Sequence, residues 1–239
     1  MRHLPNLLTL GNLFSGCCAL LYTLYWQPDV AALFTAACFV FDYLDGMVAR
    51  ALKVSSPLGK ELDSLADVVS FGVVPGAMLY QLMSGEPSIT AAFGPSFVNT
   101  AALPAFVLSA FSGLRLAKFN LDTRQTNYFL GLSTPACTVF ILGLALSAHH
   151  DLFGMGFIFE NYYILYPLTA ILSVLLVSEI PMFGMKIRNA SWKSNAFNIG
   201  FLLLFAVFAF FFKEASLSLI IIAYILLSLL LKKQITNPA

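Results

Sequence analysis

Four aspartates carry the clearest chemical signal in this chain. Asp42 and Asp45 stand three residues apart, and Asp63 and Asp67 four apart, so each pair shares one face of its helix. The short connection Lys53–Pro57 lets the two faces meet. Both pairs abut long apolar runs, Val30–Phe41 before them and Val68 onward after. Carboxylates gathered at such a boundary repel one another and lose hydration, so ionised acids there need compensation. Two divalent cations would match the four charges, and hard oxygen donors suit Mg²⁺ or Mn²⁺. Two other arrangements use the same residues: pairing with Arg50, Lys53 and Lys60, or the ion or proton relay of a transporter.

The neighbours of the acids are also chemically specific. Gly46 lets a ligand or backbone approach closely one turn beyond Asp42. Arg50 presents a planar fork for phosphate oxygens. Ser56-Pro57 is a helix start, with Ser at the N-cap and Pro at the first helical position, and a helix N-terminus is itself an anion site. Ser56 is therefore either a cap or a phosphate contact.

The elements that must position these residues are membrane helices. Of 239 residues 59% are apolar and 10% charged, with a mean hydropathy of +0.83, whereas soluble domains carry about 25% charged residues. That excludes a disulfide scaffold, a disordered regulator, and a nucleic-acid partner engaged through a basic patch. Long continuous apolar runs indicate helices rather than the short alternation of a β-barrel. Runs of about 20 residues, enough to cross a bilayer, fall near 5–26, 30–52, 57–83, 99–119, 129–148, 162–185, 196–212 and 215–232. The predicted fold is all-α, a polytopic membrane bundle of about eight helices forming one domain over 1–239. The last two segments are divided only by Lys213-Glu214.

Basic residues sort by connection. Arg2, Arg50, Lys53, Lys60, Arg115, Lys118, Arg124, Lys186, Arg188, Lys193, Lys232 and Lys233 fall on one side, 12 of the 13 in the chain, with Lys213 opposite. The positive-inside rule then makes both termini cytoplasmic, in a multi-pass protein of the cell membrane. Ser84–Phe97 and His149–Glu160 are predicted on the other face. Adjacent histidines on a helix diverge by about 100°, so His149-His150-Asp151 reads as a solvated loop. Glu179 is expected deep in the sixth segment, in a structural hydrogen bond. Cys17, Cys18, Cys38 and Cys137 lie in apolar runs with no CxxC spacing and read as small buried hydrophobes. Phe14-Ser15-Gly16-Cys17 loosely resembles a lipoprotein cleavage site. Pro5, Asn6 and Asn12 interrupt the stretch before it, so the N-terminus is expected to stay as the first membrane helix.

Taken together, Asp42-Tyr43-Leu44-Asp45-Gly46-Met47-Val48-Ala49-Arg50, eight residues, Gly59, three residues, Asp63, three residues and Asp67 match a DxxDGxxARx8GxxxDxxxD motif at every fixed position. On this string the chain resembles the CDP-alcohol phosphotransferase family, over about residues 5 to 135. The resemblance implies a helical membrane enzyme, commonly a homodimer, that displaces CMP from a CDP-linked lipid or alcohol by attack of an acceptor hydroxyl. It implies Asp42, Asp45, Asp63 and Asp67 as ligands of two Mg²⁺ or Mn²⁺ ions and Asp67 also as proton acceptor. Gly46, Arg50 and Ser56, with the motif's Gly59, are the implied CDP contacts. Asn6 and Thr9, near the start of the first helix, either meet the cytidine or cap the helix. The helices of 162–232 would be accessory, facing lipid or a second subunit.

Further segments bear on the acceptor. Val68-Val69-Ser70-Phe71-Gly72-Val73-Val74-Pro75, Leu114-Arg115-Leu116-Ala117-Lys118-Phe119-Asn120 and Gly131-Leu132-Ser133-Thr134-Pro135-Ala136 resemble the integral-membrane phosphatidylserine synthase class of that family. Lys118 stands where the class usually has Arg, and Ser133 where it usually has Pro. The class implies CDP-diacylglycerol as donor and L-serine as acceptor. Serine is a zwitterion whose carboxylate needs a cation. Arg115 is the candidate, with Asn120 a neutral partner, although a snorkelling role at a helix end also fits. Ser70 either touches substrate or belongs to a Gly/Pro kink, and Lys118 keeps charge without the bidentate fork. Glycerol 3-phosphate or an inositol phosphate are the other acceptors, and both would demand more cations.

Overall fold

Prolines and short polar caps decide where the helices begin. α1 (Leu4–Leu24) and α2 (Pro28–Ala51) carry Pro in the first turn, where its missing N–H leaves no bond unmade. α3 (Pro57–Val68) starts behind Ser56, whose hydroxyl accepts a hydrogen bond from the Gly59 N–H at 3.0 Å. It continues through a π-helical turn, Val69–Val73, into α4 (Val74–Ser84). A 3₁₀ segment, Thr100–Phe106, leads into α5 (Val107–Leu121). Ser133 caps α6 (Thr134–His149) by accepting from the Ala136 N–H at 3.2 Å, which gives this departure from the family pattern a local purpose. The short α7 (Gly156–Phe159) precedes α8 (Tyr162–Val177), and α9 (Ala196–Phe212) and α10 (Ser216–Leu230) complete the chain. The structure, a computed structural model, describes residues 3–54, 56–85, 98–122, 129–154, 156–159, 161–183 and 196–231. Arg2, Arg124, Lys186, Arg188, Lys193, Lys232 and Lys233, and most of the 84–97 loop, lie outside the described residues.

Five helical stretches are long and apolar enough to cross a membrane: Leu4–Leu24, Pro28–Ala51, Pro57–Ser84, Thr100–Leu121 and Gly200–Leu230. The last is not a straight rod. Lys213 takes a φ of 44°, and α9 folds back on α10 so that the Phe201 and Tyr224 rings lie 6.2 Å apart. With this hairpin counted as two, and with the shorter apolar helices Thr134–His149 and Tyr162–Val177, the described residues form eight apolar helical segments. The predicted all-α membrane bundle is the observed architecture.

One segment ends earlier than expected. The 162–185 helix stops at Val177, because Pro181 has no N–H and biases the residue before it away from helix. Pro181–Met182 (β2) instead pairs antiparallel with Phe129–Leu130 (β1), and the Gly131 N–H donates to Ile180 O at 2.9 Å. Gly131 has a φ of 72°, and a Cβ there would stand 2.7 Å from the carbonyl oxygens of Leu176 and Ser178. Glu179 therefore lies beyond the helix end and is exposed, not deep inside a span.

α4 and α6 form the centre, with Phe71, Leu79, Leu82, Met83, Cys137 and Ile141 fully or almost fully buried. α1 packs along α2 and leans on α3 and the π turn. A π turn and a proline free backbone carbonyls, and in a dry interior each must find a donor. Ser109 of α5 donates to Gly72 O at 2.8 Å, and Thr138 of α6 to Phe71 O at 3.3 Å. Ser70 donates to the Asn12 carbonyl of α1 at 3.3 Å. Glu214, His150 and Asp29 meet at one end of the bundle, while Arg50, Lys53 and Lys60 stand at the other end of α2 and the start of α3.

Close packing of α6 on α10 runs through Gly143, where a Cβ would lie 2.5 Å from Ser218 Oγ and 2.7 Å from Ser218 N. Gly143→Ala is expected to destabilise the detergent-solubilised protein by about 1–3 kcal/mol through overpacking, read as a lower Tm. Gly113→Ala, which meets nothing within 4 Å, should leave Tm unchanged or raise it.

Candidate active site

The two aspartate pairs meet because α2 ends and α3 begins at the same end of the bundle. Asp42, Asp63 and Asp67 each offer a carboxylate oxygen, all within 4.8 Å of one another. Asp45, one turn along α2 from Asp42, is buried and accepts a hydrogen bond from Thr9 Oγ1 at 2.6 Å. Among the described residues none of the four is ion-paired with Arg50, Lys53 or Lys60. Asp63 Oδ1 is buried and has no hydrogen-bond partner. An orphaned carboxylate oxygen among crowded acids is costly unless a cation meets it, so the donor set fits a hard divalent ion.

Two cavities meet at this cluster. The first, about 590 Å³, is lined by Asn6, Thr9, Asp45, Gly46, Ser56, Gly59 and Asp63, with Lys53 and Lys60 supplying positive charge. A Cβ on Gly59 would stand 3.1 Å from both Asn6 Oδ1 and Ser56 Oγ, so this glycine keeps the floor of the cavity open. Arg50 is exposed and folds back over Gly46, where a Cβ would lie 3.3 Å from Arg50 Nη1. It stands just outside this lining. A shallow apolar groove of about 640 Å³, lined by Leu4, Leu7 and Leu10, shares Asn6 with the first cavity.

The second cavity, about 490 Å³, holds Asp42, Asp63 and Asp67 on one side and Arg115, Asn120, Thr134 and Tyr224 on the other. Asp63 alone among the four acids lines both. Arg115 is only 7% exposed, with its guanidinium 5.6 Å from the Phe119 ring centroid and its Nε without a partner. It is a buried cation rather than a snorkelling one. Asn120 donates from Nδ2 to Ser64 Oγ at 2.6 Å and accepts at its backbone oxygen from Lys60 Nζ at 3.1 Å, tying α5 to α3.

Ser70 and Lys118 do not join this group. Ser70 is fully buried against α1, and Gly16 is needed there because a Cβ would collide with the serine; it belongs to the kink. Lys118 is exposed and faces a depression of about 50 Å³ shared with Arg115, Asp122 and Glu179.

Sequence reasoning passed over Asn12 and Thr134. Asn12 is fully buried and donates from Nδ2 to Asp67 Oδ1 at 3.2 Å. Thr134 is fully buried and its hydroxyl, at the start of α6, has no partner. Asn6, Thr9 and Asn12 recur every third residue in an otherwise apolar helix, and that polar stripe was a readable signal. Nothing comparable marks Thr134.

The family model for CDP-alcohol phosphatidyltransferase matches residues 2–175. The chain belongs to the CDP-alcohol phosphatidyltransferase family. Three relatives carry the name CDP-diacylglycerol–serine O-phosphatidyltransferase. The Bacillus subtilis protein is 32% identical over 180 residues, 75% of this chain and 89% of its own length. That of Helicobacter pylori J99 is 32% identical over 214 residues, 85% and 78% of the two chains. The Mycobacterium leprae protein is 35% identical over 190 residues, 76% of this chain and 58% of its own length. The chain thus spans somewhat over half of the mycobacterial relative.

Within this phosphatidyltransferase framework Asn12 holds one oxygen of Asp67. Asn12→Ala removes a hydrogen bond to a charged group, worth about 1.5–3 kcal/mol. CMP release should slow roughly 10- to 100-fold by that measure, mostly in kcat, and steady-state assays on the purified variant read it directly.

Proposed function

We propose that the chain transfers the phosphatidyl group of CDP-diacylglycerol to the hydroxyl of L-serine, giving phosphatidylserine and CMP. One observation carries the reading: Asp63 forms the shared wall of two cavities, one lined by Lys53, Lys60 and the Ser56-capped start of α3 and one holding a buried arginine opposite Asp67. The reacting phosphoryl group belongs at that wall.

The donor fits the first cavity. Lys53 and Lys60 face the diphosphate, Gly46 and Gly59 leave room for it, and the Ser56-capped start of α3 presents backbone N–H groups to its oxygens. Asn6 and Thr9 line the remaining wall for the cytidine, and the adjoining Leu4–Leu7–Leu10 groove accepts apolar chains. Arg50, above Gly46, approaches the phosphates from outside. The acceptor fits the second cavity. Arg115 takes the serine carboxylate, which turns the serine Oγ toward Asp67, and Asn120 holds the facing wall in place. Asp67, fixed by Asn12, accepts the hydroxyl proton as the new Oγ–P bond forms and the P–O bond to CMP breaks. Asp42, Asp45, Asp63 and Asp67 would hold Mg²⁺ or Mn²⁺, two ions by charge balance. When bound, these cations draw negative charge from the phosphoryl and leaving oxygens.

The same reading places both termini and the active site on the cytoplasmic side of the cell membrane. It carries over the family's homodimer, with the exposed apolar surface of α9 and α10, such as Leu202 and Phe210, facing lipid or the second subunit.

Labelled CDP-diacylglycerol offered with serine, glycerol 3-phosphate or an inositol phosphate in turn checks the acceptor. CMP release is expected with serine, and release that is independent of serine overturns the assignment. Asp67→Asn cannot take a proton, so kcat should fall about 10²–10⁴-fold, the usual contribution of a general base, while divalent-ion binding persists. Near-normal turnover in that variant would remove Asp67 from the role.

A further inference from the structure

At the end of the bundle away from the acid cluster, four side chains from three separate places in the sequence converge. Asp29 opens α2, His149 and His150 close α6, and Glu214 sits in the turn between α9 and α10. Asp29 is 13 residues before Asp42, about 20 Å along α2 at helical rise, so this group is separate from the candidate active site. His149, His150 and Asp151 are exposed, as expected of a solvated stretch, but the two imidazoles do not diverge as on an ideal helix. His150 is the C-cap residue, where the helix is already closing, and the two imidazoles turn toward the same carboxylate with centroids 5.2 Å apart. Asp151 is not part of the group; its Oδ1 accepts from the Gly156 N–H at 2.9 Å.

The distances from Asp29 to the two imidazoles are close to those between ligands of one metal ion. Asp29 Oδ2 is 3.6 Å from His149 Nε2 and 3.4 Å from His150 Nε2, and Asp29 Oδ1 is 3.2 Å from His150 Nε2. Imidazole nitrogen and carboxylate oxygen bind Zn²⁺ at about 2.0–2.2 Å, so adjacent ligands of a tetrahedron stand roughly 3.3–3.5 Å apart. Asp29 Oδ2 stands at or just beyond that spacing from the Nε2 atoms of both histidines, and ligand atoms of the three residues all lie within 4.8 Å of one another.

A second contact points the same way. His150 Nδ1 lies 3.3 Å from Glu214 Oε1. A carboxylate on Nδ1 selects the tautomer with its proton there and leaves the Nε2 lone pair free, the usual outer-shell arrangement around a metal-bound histidine. A carboxylate and two imidazoles suit a borderline-soft ion such as Zn²⁺, whereas the all-carboxylate cluster suits hard ions. The ligands are part-exposed, His149 33% and His150 37% by side chain, so the ion has an open path from solvent and room for a water as fourth ligand.

We propose that Asp29, His149 and His150 form a Zn²⁺-class site, with Glu214 orienting His150. The site clamps the start of α2 to the end of α6 and, through Glu214, to the α9–α10 turn. The role is structural, because the ion would tie together three elements that come from distant parts of the sequence.

Zn²⁺ titration of the purified full-length protein, in detergent with excess Mg²⁺ to occupy the carboxylate cluster, tests the site. One Zn²⁺ per chain is expected, together with a raised Tm. His149→Ala and His150→Ala should each weaken this binding at least 100-fold and abolish the Tm increase. Glu214→Gln should weaken it about 10- to 100-fold, as for other outer-shell partners. Size-exclusion profile and CMP release verify that the variants remain folded, and His149→Asn supplies a milder substitution if the alanine variants fail. X-ray absorption of the zinc-loaded protein should show two imidazoles. Zinc binding that is unchanged in His149→Asn and His150→Ala, or a spectrum with oxygen ligands only, assigns the ion to the aspartate cluster and overturns the proposal. Absence of stoichiometric binding to the wild type overturns it equally.

Discussion

Three carboxylates with oxygens within 4.8 Å of one another, set into helices otherwise suited to hydrocarbon, repel strongly where water is too scarce to screen them. Their proximity constrains everything near them. α2 and α3 must join by a short turn so that both pairs face inward. α1 must come close enough for Thr9 to reach Asp45 and Asn12 to reach Asp67. The remaining negative charge calls for a cation at the shared wall, since among the described residues none of Arg50, Lys53 and Lys60 pairs with these acids, and the proposed divalent ions would supply it. A site made unstable by itself is thereby matched to a charged ligand.

The close approach of α1 depends in turn on the backbone of the third span. Gly16 lets α1 sit directly against Ser70, in the manner of small residues at membrane helix contacts. The π turn rotates the helix beyond Asp67, so that Phe71 enters the core while the acids stay at the cavity. The carbonyls released by that turn and by Pro75 are taken up by Ser109 and Thr138 from two other helices. SFGVVP is thus a packing device whose effect on chemistry is indirect: it fixes the angle at which α3 presents Asp63 and Asp67.

How far the sequence reaches is set by the range of the interactions involved. The aspartate face was legible because i, i+3 and i, i+4 spacing is local geometry, and the Ser56-Pro57 start because caps are local chemistry. The eight apolar segments followed from length and hydropathy. The division into two cavities was not legible, since it depends on α1, α5, α6 and α10 meeting around Asp63. Glu179 was misplaced because apolar residues on both sides concealed the stop imposed by Pro181. His149 and His150 were read on an ideal helix, where they diverge, whereas the chain is already leaving the helix at His150 and both rings answer to Asp29, 120 residues earlier than His149.

The choice of acceptor is a question of charge in a confined volume. Among the described residues lining the second cavity, Arg115 is the one cation, set against Asp42, Asp63 and Asp67. Lys118, the nearest alternative by sequence, opens instead into the separate depression with Glu179. A phosphorylated acceptor would bring a dianion, and with the acids committed to divalent cations Arg115 alone would have to neutralise it while buried. Serine, the proposed acceptor, would bring a single carboxylate for Arg115. Its carboxylate and ammonium share one carbon and its hydroxyl sits on the next, so anchoring the carboxylate on Arg115 would leave the hydroxyl free to turn toward Asp67. A single buried cation in this cavity therefore favours the proposed serine over a phosphorylated alcohol, whose further charges would go unmatched.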